Sequence, residues 1–349
     1  MQRISQIISP DNSAFFAAKS RWDSIAKPLG SFGELELLVQ KIAAVQGSPD
    51  VDISRRWAVV MCADHGVTAQ GVTQCGSEVT AACAADIARG RSNVNALANA
   101  NNAQVLAVNI GMLTAPDVPG LVNRPVAAGT MDMTQGCAMT KVQTAAAIST
   151  GIDIACDLKS RGADIIVTGE MGIGNTTAAS AMAAAFLGLP AEKVTGRGAG
   201  LSDEGLSRKI SAINRALQVN TPDPDDPLDV LAKVGGLEIA GMTGLFLGGA
   251  LCHVPVVIDG VISAVAAVVA CKLSPHCTGY ILPSHCSGEP AGEGLMRLMG
   301  LRPIIHAGLR LGEGTGGLLL LPLLDSALAL YRNARTFADT NIERYTEFS

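Results

Sequence analysis

The sequence predicts an α/β fold in which an open, mainly parallel sheet is flanked by helices, and three observations point to it. Short β-rich runs each end in a polar or glycine-rich loop and lead into a helical stretch, the pattern of strand and crossover helix repeated along the chain. With 349 residues, 48% hydrophobic and 16% charged, the chain buries one large core, or a large core with a small appended unit. Aromatic residues make up only 3% while glycines number 38, which favours small-residue packing and backbone turns set against a ligand or a neighbouring element. These features describe a parallel sheet wrapped by helices.

The elements follow in order. The first segment closes on the turn signal Lys27-Pro28-Leu29-Gly30-Ser31, and an amphipathic helix is predicted over 35–45. Strands are predicted over 57–62, 104–110, 164–168, 254–258 and 280–283. Between them lie helices over 78–89, 141–160, 176–187, 204–218, 237–251 and 262–271. Asn220-Thr221-Pro222-Asp223-Pro224-Asp225-Asp226-Pro227 is the clearest loop, and no internal repeat is evident. The run 316–334 is helical in pattern despite Pro322. The expected organisation is a small helical subdomain formed by both chain ends, 1–35 and 296–349, the latter including the Glu313 loop. A large α/β domain is expected over 36–295. Ligands of such sheets bind beyond the carboxyl ends of the strands, which directs attention to Asp64-His65, Glu170-Met171-Gly172, Asp259-Gly260 and Ser284-His285.

Composition excludes several classes of function. There are 26 basic against 31 acidic side chains, and no basic cluster is longer than Arg55-Arg56, which argues against nucleic acid as a partner. The start Met1-Gln2-Arg3-Ile4-Ser5-Gln6 lacks the features of a secretory signal, so a cytoplasmic location is expected. The nine cysteines are scattered, and Cys62, Cys156 and Cys271 sit in apolar runs as reduced core thiols do. The most membrane-like run, 254–273, is interrupted by Asp259-Gly260, so no membrane span is expected. His276-Cys277 and His285-Cys286 lack metal-ligand spacing, and neither a metal nor a cofactor is predicted.

Three glycine-rich segments carry the candidate chemistry. Gly169-Glu170-Met171-Gly172-Ile173-Gly174-Asn175-Thr176-Thr177 follows a strand and opens a helix, where free N–H groups and hydroxyls either bind an anion or simply cap the helix. It has neither Walker A nor dinucleotide spacing. Gly196-Arg197-Gly198-Ala199-Gly200 precedes a capped helix bearing Lys209, which either leans back toward a phosphate or is an ordinary solvated lysine. Arg310-Leu311-Gly312-Glu313-Gly314 sets one carboxylate in a glycine-rich loop, either as a general base or as a first-turn acid favoured by the helix dipole.

The blocks Lys27-Pro28-Leu29-Gly30-Ser31-Phe32-Gly33, Cys62-Ala63-Asp64-His65-Gly66-Val67, Gly169 through Thr177, Asp229-Val230-Leu231-Ala232-Lys233-Val234-Gly235-Gly236, Pro283-Ser284-His285 and Arg310-Leu311-Gly312-Glu313-Gly314 resemble, in order and over nearly the whole chain, the nicotinate-nucleotide dimethylbenzimidazole phosphoribosyltransferase family, which implies a large Rossmann-like domain with a small helical domain built from both chain ends. The resemblance implies phosphoribosyl transfer from nicotinate mononucleotide to 5,6-dimethylbenzimidazole in the nucleotide-loop assembly of cobalamin biosynthesis. The products would be α-ribazole 5′-phosphate and nicotinate, and the enzyme a homodimer. It also implies Glu313 as the base that takes the azole proton. Glu170, Gly172, Gly174, Asn175 and Thr176 would hold the ribose and phosphate with Lys209, while Met171 and Leu311 would bind substrate. Glu170 and Asp259 are the carboxylates expected to stabilise oxocarbenium charge.

One stretch departs from the family pattern. Where a serine and a glutamine commonly face the base, this chain has Cys75 and Cys83, and Gly76 replaces a proline. Either the thiols fill the same space around dimethylbenzimidazole, or the preference shifts to another benzimidazole, a purine or a phenolic compound. Two further alternatives are a non-catalytic nucleotide-binding partner subunit, which an intact Glu313 disfavours, and a nicotinamide-dependent oxidoreductase, which the missing dinucleotide fingerprint disfavours.

Overall fold

The computed structural model describes residues 3–345. Six strands form one sheet: β1 (Arg56–Ala63), β2 (Ala103–Gly111), β3 (Leu121–Asn123), β4 (Ile165–Met171), β5 (Val256–Ile258) and β6 (Ile281–Pro283). Their order is β3-β2-β1-β4-β5-β6 and every pairing is parallel, with Val59 of β1 opposite Leu106 on one side and Thr168 on the other. This is the doubly wound order, and the direction of winding reverses between β1 and β4.

Alternation along β1 explains why the strand is apolar throughout. Val59, Met61 and Ala63 enter the cluster under helices Lys141–Ser160, Asn175–Leu187, Leu237–Leu251 and Val261–Leu273. Ala58, Val60 and Cys62 enter the cluster on the opposite face, beside Trp22, Val39, Leu324 and Tyr331. A sheet buried on both faces reads as a continuous hydrophobic run.

Helices Lys141–Ser160 and Leu237–Leu251 approach so closely that a Cβ on Gly151 would stand 2.0 Å from the Gly241 carbonyl oxygen. At one end of this contact Cys156 is joined to Cys252, with their Cα atoms 5.9 Å apart. Cys156 is therefore not the reduced core thiol expected from its apolar neighbours. Its partner is 96 residues away in sequence, and only the helix pairing brings it within disulfide reach. Among the described residues seven cysteines remain free, Cys62 and Cys271 among them. Air-oxidised protein unfolded without reductant is accordingly expected to take up seven equivalents of iodoacetamide, and nine after reduction. Nine without reductant would show that the pair is open.

The chain ends meet. Trp22 of helix Asn12–Ser24 lies 5.0 Å, centroid to centroid, from Tyr331 of helix Leu320–Asn333, and the Ala26 N–H donates to the Arg335 carbonyl. Their cluster is continuous with one face of the sheet. The run 316–334 is divided into helices Thr315–Leu318 and Leu320–Asn333. Strand β3 was not anticipated, and the expected strand starts at 254 and 280 come late, at Val256 and Ile281. Among the described residues no helix is long and apolar enough to cross a membrane.

Candidate functional site

The carboxyl ends of β1, β4, β5 and β6 converge on the site. Past β4 the chain turns through Gly172 to Gly174 and starts helix Asn175–Leu187, with Gly174 at the N-cap in a left-handed conformation (φ 99°). The turn lies against β1, since a Cβ on Gly172 would come within 2.3 Å of the Ala63 carbonyl oxygen. The Ile173 N–H donates to Thr80 Oγ1 (3.1 Å), which ties the turn to helix Glu78–Ala88. Within the first turn of helix Asn175–Leu187 the Asn175 N–H donates to the Gly172 carbonyl (3.1 Å) and the Thr177 N–H to the Gly174 carbonyl (2.9 Å), so the Thr176 N–H and the helix dipole are what this end offers an anion.

Lys209 completes this end. It is fully buried, which overturns the reading as a solvated surface lysine: its helix, Asp203–Asn220, points the side chain inward. Nζ donates to Thr176 Oγ1 (2.8 Å) and to the Gly196 carbonyl (3.2 Å). Burial lowers its pKa to about 8, opposed by nearby Glu289.

The opposite end is the Glu313 loop. Gly312, Glu313 and Gly314 have φ of 83°, 62° and 92°, three left-handed residues in succession, and only the glutamate among them carries a Cβ. Such a conformation costs about 1–3 kcal/mol in a non-glycine residue and persists where its surroundings enforce it. Asp259, after β5, enforces it. Its Oδ2 accepts from the Gly314 N–H (3.1 Å) and its Oδ1 from the Gly317 N–H (2.8 Å). The loop also rests on β4, where a Cβ on Gly169 would lie 2.5 Å from the Glu313 carbonyl oxygen. The Glu313 carboxylate accepts from the Val94 N–H (3.2 Å) and, more distantly, from Asn93 Nδ2 (3.4 Å).

Glu170 bridges the two ends. Its buried carboxylate accepts from Asn175 Nδ2 and from the Glu313 N–H. Burial pushes its pKa well above the usual carboxylate range, and Asp259 and Glu238 add to the effect. The Glu313 N–H and the Asn175 amide work in the opposite direction. Burial likewise raises Asp259, against His285 and the loop N–H groups, and lowers His285, against Asp259.

Two adjoining cavities separate the predicted residues. The larger, about 330 Å³, is lined by Glu170, Met171, Cys83, Asp259, Leu311 and Glu313. The smaller, about 70 Å³, is lined by Cys75, Gly174 and Lys209. Gly172, Asn175 and Thr176 line both. Cys75 and Cys83 therefore do not face one chamber: Cys83 shares a cavity with Glu313 and Cys75 sits beside Lys209. Leu311 is 60% exposed, so it edges the cavity mouth instead of walling in Glu313. Of the two His-Cys motifs, His285 lines the larger cavity beside Asp259, whereas the other lies elsewhere: His276 Nδ1 meets Ser9 Oγ (2.8 Å), and Cys277 Sγ points at the Phe246 carbonyl.

Sequence reasoning missed Thr80, Asn93, Glu238 and Glu289. Of these only Asn93 lies beside a local signal, the Ser92–Asn95 capping box that opens helix Asn93–Ala100. The others are placed by long-range packing.

A phosphoribosyltransferase family model matches residues 7–342. Among curated proteins the chain is similar to nicotinate-nucleotide–dimethylbenzimidazole phosphoribosyltransferases. That of Ruminiclostridium cellulolyticum is 43% identical over 328 residues, covering 94% of this chain and 93% of the relative. That of Halalkalibacterium halodurans is 42% identical over 346 residues, covering 98% and 97%. The crystal structure of the Thermus thermophilus enzyme of this name superposes with a TM-score of 0.89 at 38% identity, covering 96% of this chain and all of that one.

Proposed function

Because this chain belongs to that phosphoribosyltransferase family, we propose that it transfers the 5-phosphoribosyl group of nicotinate mononucleotide to 5,6-dimethylbenzimidazole or a closely related base. The products are α-ribazole 5′-phosphate and nicotinate, for the nucleotide loop of cobalamin. The observation that carries the reading is the polarity of the paired cavities. One end offers a helix N-terminus and the buried Lys209 cation, and the other an enforced carboxylate, Glu313, at the head of a larger chamber.

The donor phosphate belongs at the Lys209 end, where charge-assisted hydrogen bonds hold it. The ribose then lies past Asn175 and Thr176, with its anomeric carbon near Glu170. Nicotinate leaves with the electron pair of its glycosidic bond, which neutralises the pyridinium, so no proton donor is needed. The incoming azole nitrogen attacks from the opposite face and inverts β to α. Its other nitrogen gives its proton to Glu313. Positive charge that develops on the ribose draws Glu170 toward its ionised form, which an opposite charge favours. Asp259, which also lines the larger cavity, anchors the Glu313 loop through both of its oxygens.

Membership of the family is also what supports a homodimer, a cytoplasmic site of action, and the two chain ends as one helical subdomain beside the 36–295 domain. The experiment that tests the function is a competition: wild-type protein, nicotinate mononucleotide and equimolar dimethylbenzimidazole, other benzimidazoles, adenine and p-cresol, with products weighed by mass spectrometry. α-Ribazole 5′-phosphate is the expected main product, with Cys83 as space-filler against an apolar ring. A different dominant riboside would assign Cys83 a role in base choice, and no riboside at all would overturn the reading.

A further inference from the structure

Beneath the 172–174 turn lies a buried histidine–carboxylate pair that the transfer chemistry does not use. His65 follows β1, its ring is almost wholly inaccessible, and its Nε2 lies 2.7 Å from Glu238 Oε1. Glu238 stands in the first turn of helix Leu237–Leu251 and is completely buried. Its Oε2 has no hydrogen-bond partner among the described residues. Burying a carboxylate with one oxygen unmatched is costly, and an apolar side chain would fill this space at less cost. Packing alone therefore does not account for the pair.

Its neighbours suggest what does. A Cβ on Gly172 would stand 3.5 Å from His65 Cδ2, and a Cβ on Gly174 would stand 3.1 Å from His65 Cβ and 3.0 Å from Thr68 Cγ2. On the other side, a Cβ on Gly236 would reach within 2.4 Å of His65 Cε1. The ring is thus gripped between the turn that opens helix Asn175–Leu187 and the N-terminus of helix Leu237–Leu251. The backbone of His65 is held too, because the Thr68 N–H (3.2 Å) and Oγ1 (2.9 Å) both donate to its carbonyl.

We propose that His65 and Glu238 are positioning residues for the donor phosphate. The ring is the floor that sets the curvature of the 172–174 turn and with it the direction in which helix Asn175–Leu187 presents the Thr176 N–H and hydroxyl to the phosphate, and Glu238 fixes the rotation of the ring. This deepens the transferase reading and rests on it.

The test compares full-length H65A, H65Q, E238A and E238Q with wild type in steady-state kinetics, alongside thermal midpoints. H65A and E238A are expected to raise KM for nicotinate mononucleotide by about tenfold, the equivalent of one hydrogen bond. In H65A kcat and KM for dimethylbenzimidazole should stay within about threefold of wild type, since the reacting groups themselves are untouched, while E238A, which also removes a charge felt by Glu170, is read on the two KM values. E238Q keeps an acceptor for the ring and is expected to restore the donor KM to within about threefold. The proposal is overturned if both KM values rise together, if kcat falls with the donor KM unchanged, or if E238Q is as impaired as E238A. Should the alanine variants fail to fold, H65Q decides: a donor-selective rise in KM supports the proposal and wild-type values overturn it. Should wild type make no riboside, the transferase reading fails on its own. Calorimetric titration of ribose 5-phosphate into wild type and H65Q then decides the inference, weaker binding to H65Q supporting it and equal binding overturning it.

Discussion

Replacing Glu313 by glutamine is expected to lower kcat by a factor on the order of 10² to 10⁴, the usual contribution of a general base. KM for nicotinate mononucleotide should move little, because Lys209 and the turn after β4 are untouched. The variant isolates proton transfer: a glutamine oxygen still accepts from the Val94 N–H, while the amide cannot take a proton. The backbone of the loop should also survive, since Asp259 holds it through Gly314 and Gly317 without using the Glu313 side chain. Glu170 is no substitute base, because it is buried, pushed toward its protonated form and engaged by Asn175. Turnover within a few-fold of wild type in the competition assay's standard reaction would place the base elsewhere.

The second large effect is expected at Lys209. Substitution by methionine should weaken nicotinate mononucleotide binding roughly ten- to hundredfold, the range set by charged hydrogen bonds of about 1.5–3 kcal/mol. Stability should move in the other direction. The folded-state pKa of about 8 lies below the ordinary 10.5, so between these values the unfolded chain binds more protons than the native one. The burial penalty therefore grows as pH falls from 10.5 to about 8 and stays at its full value below. At neutral pH the variant sheds that penalty, and its thermal midpoint is expected not to fall. Wild-type kcat/KM for the donor should also decline as pH rises past about 8 and Nζ loses its proton, and the variant should lack this limb. A donor KM unchanged by the substitution would remove Lys209 from the phosphate site.

The parts of the molecule legible in the sequence are those specified locally. Helices Lys141–Ser160 and Leu237–Leu251 coincide with the predicted spans, because a Thr140–Gln143 capping box opens the first and a run apolar but for Glu238 and Thr243 forms the second. Strand β3 escaped because three residues are too few for alternation to register, and Pro116, Pro119 and Pro125 crowd it. The glycine-rich segments marked where chemistry sits, yet not how it is held. Nothing around Lys209 in sequence says that its side chain turns inward, because the Gly196 carbonyl and Thr176 that receive it belong to other elements. Asp259 was read as a candidate carboxylate near the ribose, and its anchoring of Gly314 and Gly317 went unseen because those bonds join residues far apart in the chain. The Cys156–Cys252 pair and the His65–Glu238 pair were hidden for the same reason.

The strand order also sets a sequence of events on the ribosome. β1, β2 and β3 emerge first, and β4 to β6 then extend the sheet on its other side, so the last strand is complete at Pro283 while Glu313 is still to be translated. A nascent chain at that stage possesses the turn after β4 and Asp259 but not Glu313. It also lacks helix Leu320–Asn333, whose Leu321, Leu324, Leu328 and Tyr331 cover Trp22 and one sheet face. Until that wall arrives, a broad apolar surface stays open to water and to chaperones or proteases. Glu313 and the final layer of the core are thus delivered in one stretch of translation, and a chain ending before it would leave the apolar sheet face uncovered.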